Sequence, residues 1–158
     1  MDLLSDAKDI ALRFLSYRPR SEMEVRRYLA GKGHTESIQD EVVVWLRHLN
    51  YVDDLRFARQ WIESRNRSNP MGSRRLFQEL RQKGVSEAVI HQAFEDYHGE
   101  ADEAALAKEL ALKQAGRYKG QEGDAVTRKL SGYLARRGFK SAHIHQAVQE
   151  ALRTLPLP

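Results

Sequence analysis

Apolar residues recur at three- and four-residue spacing along most of the chain, which is the period of amphipathic helices. The pattern predicts nine helices and no strand. The β-branched run Val42–Val44 could indicate a strand, but acidic residues precede it and the helical period continues through Trp45 and Leu46, so we expect a helix there too. The predicted helices cover approximately residues 5–17, 21–31, 37–49 (with Asp40 as the alternative start), 53–65, 73–84, 86–98, 102–114, 124–137 and 141–152.

One pattern occurs three times along the chain: two apolar residues four positions apart, then a basic residue and a glycine. The three copies are Val25, Leu29 and Lys32-Gly33; Leu76, Leu80 and Lys83-Gly84; and Leu130, Leu134 and Arg137-Gly138. A period of about 50 residues with three helices per period predicts tandem small helical bundles. We therefore predict an all-α fold of three tandem three-helix, helix-turn-helix-like repeats in an elongated, curved array. The predicted repeats are 1–50, 51–98 and 99–158.

Local residue types predict where several helices begin and end. Ser21 and Glu24 form a capping box, since each side chain can satisfy the other residue's backbone N–H. Asp53 is a predicted N-cap, and this role explains the pair Asp53-Asp54 better than a metal site does. Turn-forming residues from Asn66 onward predict that the fourth helix ends near Arg65, and Gly99 is expected to end the sixth.

Basic charge is concentrated in the middle of the chain. The 158 residues have a net charge of +4, but residues 56–84 alone hold eight basic and two acidic side chains. A concentrated positive charge favours binding to a polyanion or an acidic protein surface. The candidate binding residues are the arginines on the polar sides of the fourth and fifth helices and in their connection, for which a solvated surface is the alternative. They are Arg56, Arg59, Arg67, Arg74, Arg75 and Arg81.

We find no candidate for catalysis. The histidines are scattered, and His143 and His145 are two positions apart on a predicted helix, so they cannot share a metal ion. No phosphate-binding glycine motif or nucleophile motif is present. We expect neither enzyme activity nor a cofactor or metal. The two tryptophans are interpreted as core residues, with base stacking as the alternative.

The sequence also predicts the compartment. It has no cysteine, the N-terminal segment is too acidic for a secretory signal, and no apolar run is long enough to span a membrane. We therefore expect a cytoplasmic, monomeric protein that does not bind membranes.

The middle of the chain resembles the core of the bacterial RecX family. The run Tyr51-Val52-Asp53-Asp54-Leu55-Arg56-Phe57-Ala58 carries the resemblance, together with further positions downstream. These are Trp61, Ile62, Arg65, Gly72, Arg75, Leu76, Glu79, Leu80, Lys83 and Gly84. Apart from the arginines on the polar sides, we interpret these motif residues as structural. The dense match lies between positions 51 and 84; the rest of the chain agrees in length and repeat layout.

The resemblance implies a function that composition and periodicity do not. RecX proteins modulate the RecA recombinase, so the chain is expected to bind the RecA nucleoprotein filament and to limit its recombinase, ATPase and coprotease activities. This role belongs to homologous recombination, DNA repair and the SOS response. Weaker contact with single- or double-stranded DNA is also expected. The alternative is a stand-alone DNA-binding module that uses the basic middle repeat.

Overall fold

The structure is a computed structural model that describes residues 2–97 and 100–156. Within these residues the chain forms nine α-helices and one short 3-10 helix, and no strand. The helices are α1 (Leu3–Tyr17), α2 (Glu22–Gly31), α3 (Glu36–His48), α4 (Asp54–Ser68), α5 (Ser73–Gln82), α6 (Glu87–Tyr97), α7 (Glu100–Ala115), α8 (Gly123–Arg136) and α9 (Ser141–Thr154). The 3-10 helix is Gly116–Tyr118. The predicted all-α class with three tandem three-helix repeats is confirmed, whereas the elongated, curved shape stays a prediction.

Helix caps account for most of the observed boundaries. Both predicted bonds of the capping box between Ser21 and Glu24 are present at the start of α2. The predicted N-cap of α4 is also present, because an Asp53 carboxylate oxygen accepts a hydrogen bond from the Arg56 N–H at 3.1 Å. The run Val42–Val44 lies inside α3, as the helical period predicts.

The predicted end of the fourth helix is wrong by a few residues. α4 continues past the predicted end near Arg65 to Ser68, because Pro70 and not Asn66 is the residue that the helix cannot accommodate. α3 begins at Glu36, next to the predicted start near Ser37, and its N-cap Thr35 accepts a hydrogen bond from the Ile38 N–H. The predicted break at Gly99, and with it the boundary between the second and third repeats, lies outside the described residues.

The first and second repeats have the same internal register. Their helices begin at Leu3, Glu22 and Glu36 and at Asp54, Ser73 and Glu87, so the offset between counterparts is the same for all three helices. The third repeat differs. The interval between the start of α8 and the start of α9 is one helical turn longer than the interval between the starts of α5 and α6. α8 therefore has one additional turn at its N-terminus, and it is longer than α5.

The chain forms two compact units. Unit 1 contains residues 1–61 and 79–93, and unit 2 contains residues 62–78 and 94–158, so α4 and α5 contribute to both. The buried core of unit 1 includes Ala7, Ala11, Val25, Leu29, Val42, Leu46 and Val52. That of unit 2 includes Ala107, Ala111, Val126, Leu130, Leu134, Phe139, Ala147, Val148 and Ala151. These are the inward positions of the amphipathic pattern. The predicted repeat boundaries themselves stay a prediction.

Candidate interaction surface

The six candidate arginines are divided between the two units. Arg56, Arg59 and Arg81 lie in unit 1, and Arg67, Arg74 and Arg75 lie in unit 2. Five of them are exposed and Arg59 is half-buried. Arg56 donates from its guanidinium to the Asn50 carbonyl at 2.8 Å, which holds its side chain against the connection before α4. Whether the six residues form one surface stays a prediction.

Arg67 is one of the exposed arginines on α4. On α4, Arg67 lies one turn after Glu63 with 3.9 Å between the charged atoms, and the Arg67 side chain is 73% exposed. A pair of this kind contributes a few tenths of a kcal/mol in solvent. The guanidinium of Arg67 is thus accessible to a carboxylate or a phosphate, either of which it can bind through two parallel hydrogen bonds.

In unit 1, the N-terminus of α2 is joined to the C-terminus of α5. The buried Ser21 hydroxyl donates to the Lys83 carbonyl at 2.6 Å, while it accepts from the Glu24 N–H at 3.1 Å. The first N–H of α2, that of Glu22, donates to an Asp54 carboxylate oxygen at 2.9 Å. We call this set of contacts the first junction. It satisfies backbone groups that a helix end leaves without an intrahelical partner.

Charged and aromatic side chains of the RecX-like motif surround the first junction. The Trp61 indole N–H donates to a Glu79 carboxylate oxygen at 2.7 Å, and the Lys83 ammonium lies 5.4 Å from the centre of the Trp61 ring. Lys83 also lies 3.4 Å from Glu24, which in turn pairs with Arg18 at 2.6 Å. Trp61 and Lys83 therefore take part in packing of unit 1, and Trp61 is only partly exposed.

Two carboxyl groups at the first junction have shifted pKa values. Burial acts to raise the pKa of Glu24, but the hydrogen bonds from Arg18 and the Ser21 N–H, together with the charge of Lys83, outweigh it and the pKa is lowered. Burial raises the pKa of Asp54, and the hydrogen bond from the Glu22 N–H does not compensate for it. Ionised Asp54 thus accepts a hydrogen bond from the N-terminus of α2 at a cost in desolvation free energy.

Unit 2 contains an equivalent arrangement, which we call the second junction. The N–H groups of Gly72 and Arg74 donate to the carbonyls of Arg137 and Gly138, at 2.7 and 3.0 Å. Arg137 also donates from its guanidinium to the Asn69 side chain at 3.0 Å and to the Pro70 carbonyl at 2.9 Å. The N-terminus of α5 is thereby joined to the C-terminus of α8.

A carboxylate from the next repeat caps the helix at both junctions. At the second junction, Glu103 of α7 accepts from both the N–H and the hydroxyl of Ser73, each at 3.0 Å, and Glu103 is only 1% exposed. Glu103 therefore accepts a hydrogen bond from the first N–H of α5, as Asp54 does from the first N–H of α2. His143 lies 3.8 Å from the same Glu103 oxygen.

The backbones approach closely at the second junction. Gly138 has a φ of +87°, and a Cβ built on it would lie inside van der Waals contact with the backbone of Arg75. A Cβ on Gly72 would meet the backbone of Gly138 in the same way. Only glycine fits such a contact, and only glycine adopts this φ without strain.

Some junction residues were not among the sequence-predicted site residues. Glu103 and Arg137 are the main examples. Arg137 carries a weak signal, because it occupies the position of Lys83 in the repeat pattern. Glu103 carries none, since a single acid in an alanine-rich helix is ordinarily exposed.

No metal centre is indicated in the described part of the chain, where no group of three or more histidine, aspartate and glutamate side chains could hold an ion. Of the helices that the structure describes, none combines the length and the apolar character needed to cross a membrane. Unit 1 has open grooves on its surface. One of about 440 Å³ is lined by Phe14, Glu24, Arg27, Tyr28, Gln82 and Lys83.

Comparison with protein families identifies three matching models. They are the first three-helix domain of RecX at residues 7–46, the second at 53–93 and the third at 101–148. The regulatory protein RecX of Prosthecochloris aestuarii is 37% identical over 142 residues, which are 90% of this chain and 91% of that protein. RecX of Leuconostoc mesenteroides is 36% identical over 138 residues, and the chain spans only 51% of that longer relative.

Two solved structures of RecX proteins are similar to this chain. The crystal structure of RecX from Lactobacillus salivarius superposes with a TM-score of 0.86, covering 95% of this chain and 97% of that chain, at 23% identity. A second crystal structure of a regulatory protein RecX gives a TM-score of 0.82 at 27% identity and covers 93% and 73%. Because so few residues are identical in the first pair, that similarity concerns the fold alone.

Proposed function

Because the chain belongs to the RecX family of regulatory proteins, we propose that it binds the RecA recombinase on its nucleoprotein filament and inhibits recombination, ATP hydrolysis and coprotease activity. The observation that carries the proposal is the match to all three RecX domains along one chain. The relatives are named as regulatory proteins, which agrees with the absence of a catalytic motif from the sequence. Action on such filaments places the protein in the cytoplasm, and we propose a monomer.

Arginine chemistry suits the proposed target. A nucleoprotein filament presents phosphates and acidic side chains, and a guanidinium binds either through paired hydrogen bonds. We assign the contact to Arg56, Arg59, Arg67, Arg74, Arg75 and Arg81, which stand on helices whose ends are held by the two junctions. Such fixed helices lower the entropy lost when the side chains bind. Arg65 and Lys83 are left out, because their positions are on the apolar sides of their helices.

The arginine assignment can be tested by one multiple substitution. We expect the variant with Arg56, Arg59, Arg74 and Arg75 changed to Ala to inhibit RecA at least about tenfold less potently, since several rim charges act together on encounter and binding. The measurement is RecA-catalysed ATP hydrolysis on single-stranded DNA, titrated with the parent or the variant. Circular dichroism at 222 nm should show unchanged helical content.

A charge-matched control separates position from net charge. Lys113, Arg117, Lys119 and Arg128 are exposed and lie in the third repeat, so their fourfold Ala variant removes the same charge elsewhere. We expect this control to inhibit as the parent does. Equal inhibition by parent and by the first variant would show that the arginines are not the contact.

The concentration of basic residues between positions 56 and 84 also favours the alternative of a stand-alone DNA-binding module. Under that alternative, the parent binds DNA without RecA, and its affinity falls steeply with salt because neutralised phosphates release counterions. Binding to a labelled single strand at low and at near-physiological salt discriminates the two. Our proposal expects weak binding to DNA alone and much stronger retention on strands coated with RecA.

A further inference from the structure

The two junctions follow one rule. At each, the basic residue and glycine after the second helix of one repeat hold the N-terminus of the second helix of the preceding repeat. Lys83-Gly84 holds α2, and Arg137-Gly138 holds α5. The corresponding pair in the first repeat is Lys32-Gly33, and none of the described helices covers it.

Lys32 and Gly33 are exposed. Gly33 has a φ of +90°, close to that of Gly84 and Gly138, so its backbone has the geometry of the two occupied positions. A Cβ built on Gly33 would have none of the described atoms within 4 Å, whereas one on Gly84 would collide with the Met23 side chain. The end of α2 thus has the same backbone geometry as the ends of α5 and α8, but no described helix packs on it.

A groove of about 260 Å³ adjoins this exposed end, within unit 1. It is lined by Ile10, Arg13, Phe14, Tyr17, Tyr28 and Lys32. The register shared by the first two repeats makes Ile10, Tyr28 and Lys32 the counterparts of Trp61, Glu79 and Lys83. Those three residues of the second repeat surround the position at which Lys83 meets Glu24 of α2.

We propose that this groove binds the N-terminal turn of an acidic helix from a partner protein, one that begins with a serine-type cap followed by glutamate or aspartate. Two cations and no acid line the groove, so its charge is opposite to that of such a turn. The C-terminal carbonyls of α2 also attract the positive end of an incoming helix dipole. Tyr17, which is 84% exposed, supplies apolar area for the contact.

A second copy of the chain fits this groove less well than another protein does. The N-termini of α2 and α5 are already held in the two junctions. The remaining second helix, α8, begins at Gly123, although the spacing between Leu76 and Leu130 in the repeat pattern would start it at position 127. Its N-cap is Glu122, which makes no side-chain capping hydrogen bond, so α8 lacks the serine cap with which α2 enters the first junction.

The probe for the test is this chain's own junction helix as a peptide. A synthetic peptide of residues 21–31, with a hydrocarbon staple joining positions 26 and 30, is titrated into the uniformly ¹⁵N-labelled full chain. We expect saturable shifts of the backbone amides of Arg13, Tyr17, Lys32 and Gly33. The same peptide with Ser21→Ala should bind several-fold more weakly, because the serine hydroxyl donates to the carbonyl in the first junction.

Variants of the protein test the charge complementarity. We expect Arg13→Glu with Lys32→Glu to weaken peptide binding at least about tenfold, since each attraction becomes a repulsion. Both side chains are exposed, so the variant should retain the parent's circular dichroism and melting temperature. Lys113→Glu with Arg117→Glu is the charge-matched control and should bind the peptide as the parent does.

Three results would overturn the inference. They are a lack of saturable shifts at millimolar peptide, shifts centred on Lys83 and Gly84 instead, and equal binding by the double-reversal variant and the parent. If the Gly33 amide shifts with protein concentration alone and sedimentation shows a dimer, the occupant is a second copy and the assignment to a partner protein is wrong. None of these readouts involves RecA, so they are independent of the proposed regulatory function.

Discussion

Equivalent glycines have different surroundings, and this difference isolates the contribution of a junction. Gly33 and Gly138 both have a φ near +90°, so replacing either by alanine forces an L-residue into the left-handed region. At Gly33 the new methyl group meets open space, but at Gly138 it meets the backbone of Arg75. Strain is common to the two substitutions, whereas steric collision is specific to Gly138.

We therefore expect Gly33→Ala to lower the free energy of unfolding by about 1 kcal/mol and Gly138→Ala by about 3 kcal/mol or more. Urea denaturation followed by circular dichroism measures both. The first variant serves as the control for backbone strain. Similar losses for the two variants would contradict the close approach in the second junction.

The opposite pKa shifts of Glu24 and Asp54 predict opposite pH dependences. A lowered folded-state pKa means that ionised Glu24 stabilises the fold above its ordinary value of 4.5, and that this contribution is lost as the pH falls through the folded-state pKa. We expect Glu24→Gln to be less stable than the parent at neutral pH and to approach it as the pH falls below about 4.5. Urea denaturation at a series of pH values tests this.

Asp54→Asn is the control of opposite sign. A raised folded-state pKa means that ionisation of Asp54 lowers stability as the pH rises from its ordinary value of 3.8 through the folded-state pKa. An asparagine keeps an oxygen for the Glu22 N–H but does not ionise, so the stability of this variant relative to the parent should rise with pH. A pH-independent difference for both variants would contradict the electrostatic assignment.

At the scale of helices, capping explains what the sequence could predict. Ser21 and Glu24 are three residues apart, so their capping box is visible in the sequence and is confirmed. The second bond of the same serine, to the Lys83 carbonyl, joins residues 62 positions apart and has no local signal. For the same reason Asp53 could be predicted as a cap of its own helix, but Asp54 could not be predicted as a partner of α2.

Because Ser21 also bonds the Lys83 carbonyl, its replacement should lower stability more than the loss of an ordinary N-cap does. We expect Ser21→Ala to lower the free energy of unfolding by about 2 kcal/mol, because it removes a cap and leaves the partly buried Lys83 carbonyl without this donor. Thr35→Ala removes the exposed N-cap of α3, whose hydroxyl accepts a longer hydrogen bond from the Ile38 N–H, at 3.4 Å. This change should lower the free energy of unfolding by only about 0.5 to 1 kcal/mol. Equal losses in denaturation experiments would show that the bond to Lys83 contributes nothing measurable.

At the scale of the whole chain, the repeat period predicts three sets of three helices but not how they are joined. α4 and α5, which belong to the second predicted repeat, each contribute to both compact units. The reason is physical: contacts such as Gly72 with Arg137 connect residues that are far apart in the sequence, and periodicity records which positions are equivalent and not which ones touch. The arginines that the pattern grouped in one segment are divided in the same way.

Joined helix ends also predict a pattern of amide protection across the molecule. The first-turn amides of a helix have no intrahelical acceptor and ordinarily exchange rapidly with solvent. Those of Glu22 and Ser73 instead donate to the carboxylates of Asp54 and Glu103, and that of Gly72, just before α5, donates to the Arg137 carbonyl. Gly123 and Asp124, in the first turn of α8, are exposed.

We expect the three junction amides to exchange about a hundredfold or more slowly than those of Gly123 and Asp124, since their opening requires a junction to separate. Hydrogen exchange followed by ¹⁵N NMR measures this, after correction for intrinsic rates. Glu103→Gln should accelerate exchange at Ser73 while leaving Glu22 unchanged, because the two junctions have no residue in common among these contacts. Rapid exchange at all five positions would mean that the helix ends open independently, and the helices carrying the arginines would then be less fixed than the proposed function requires.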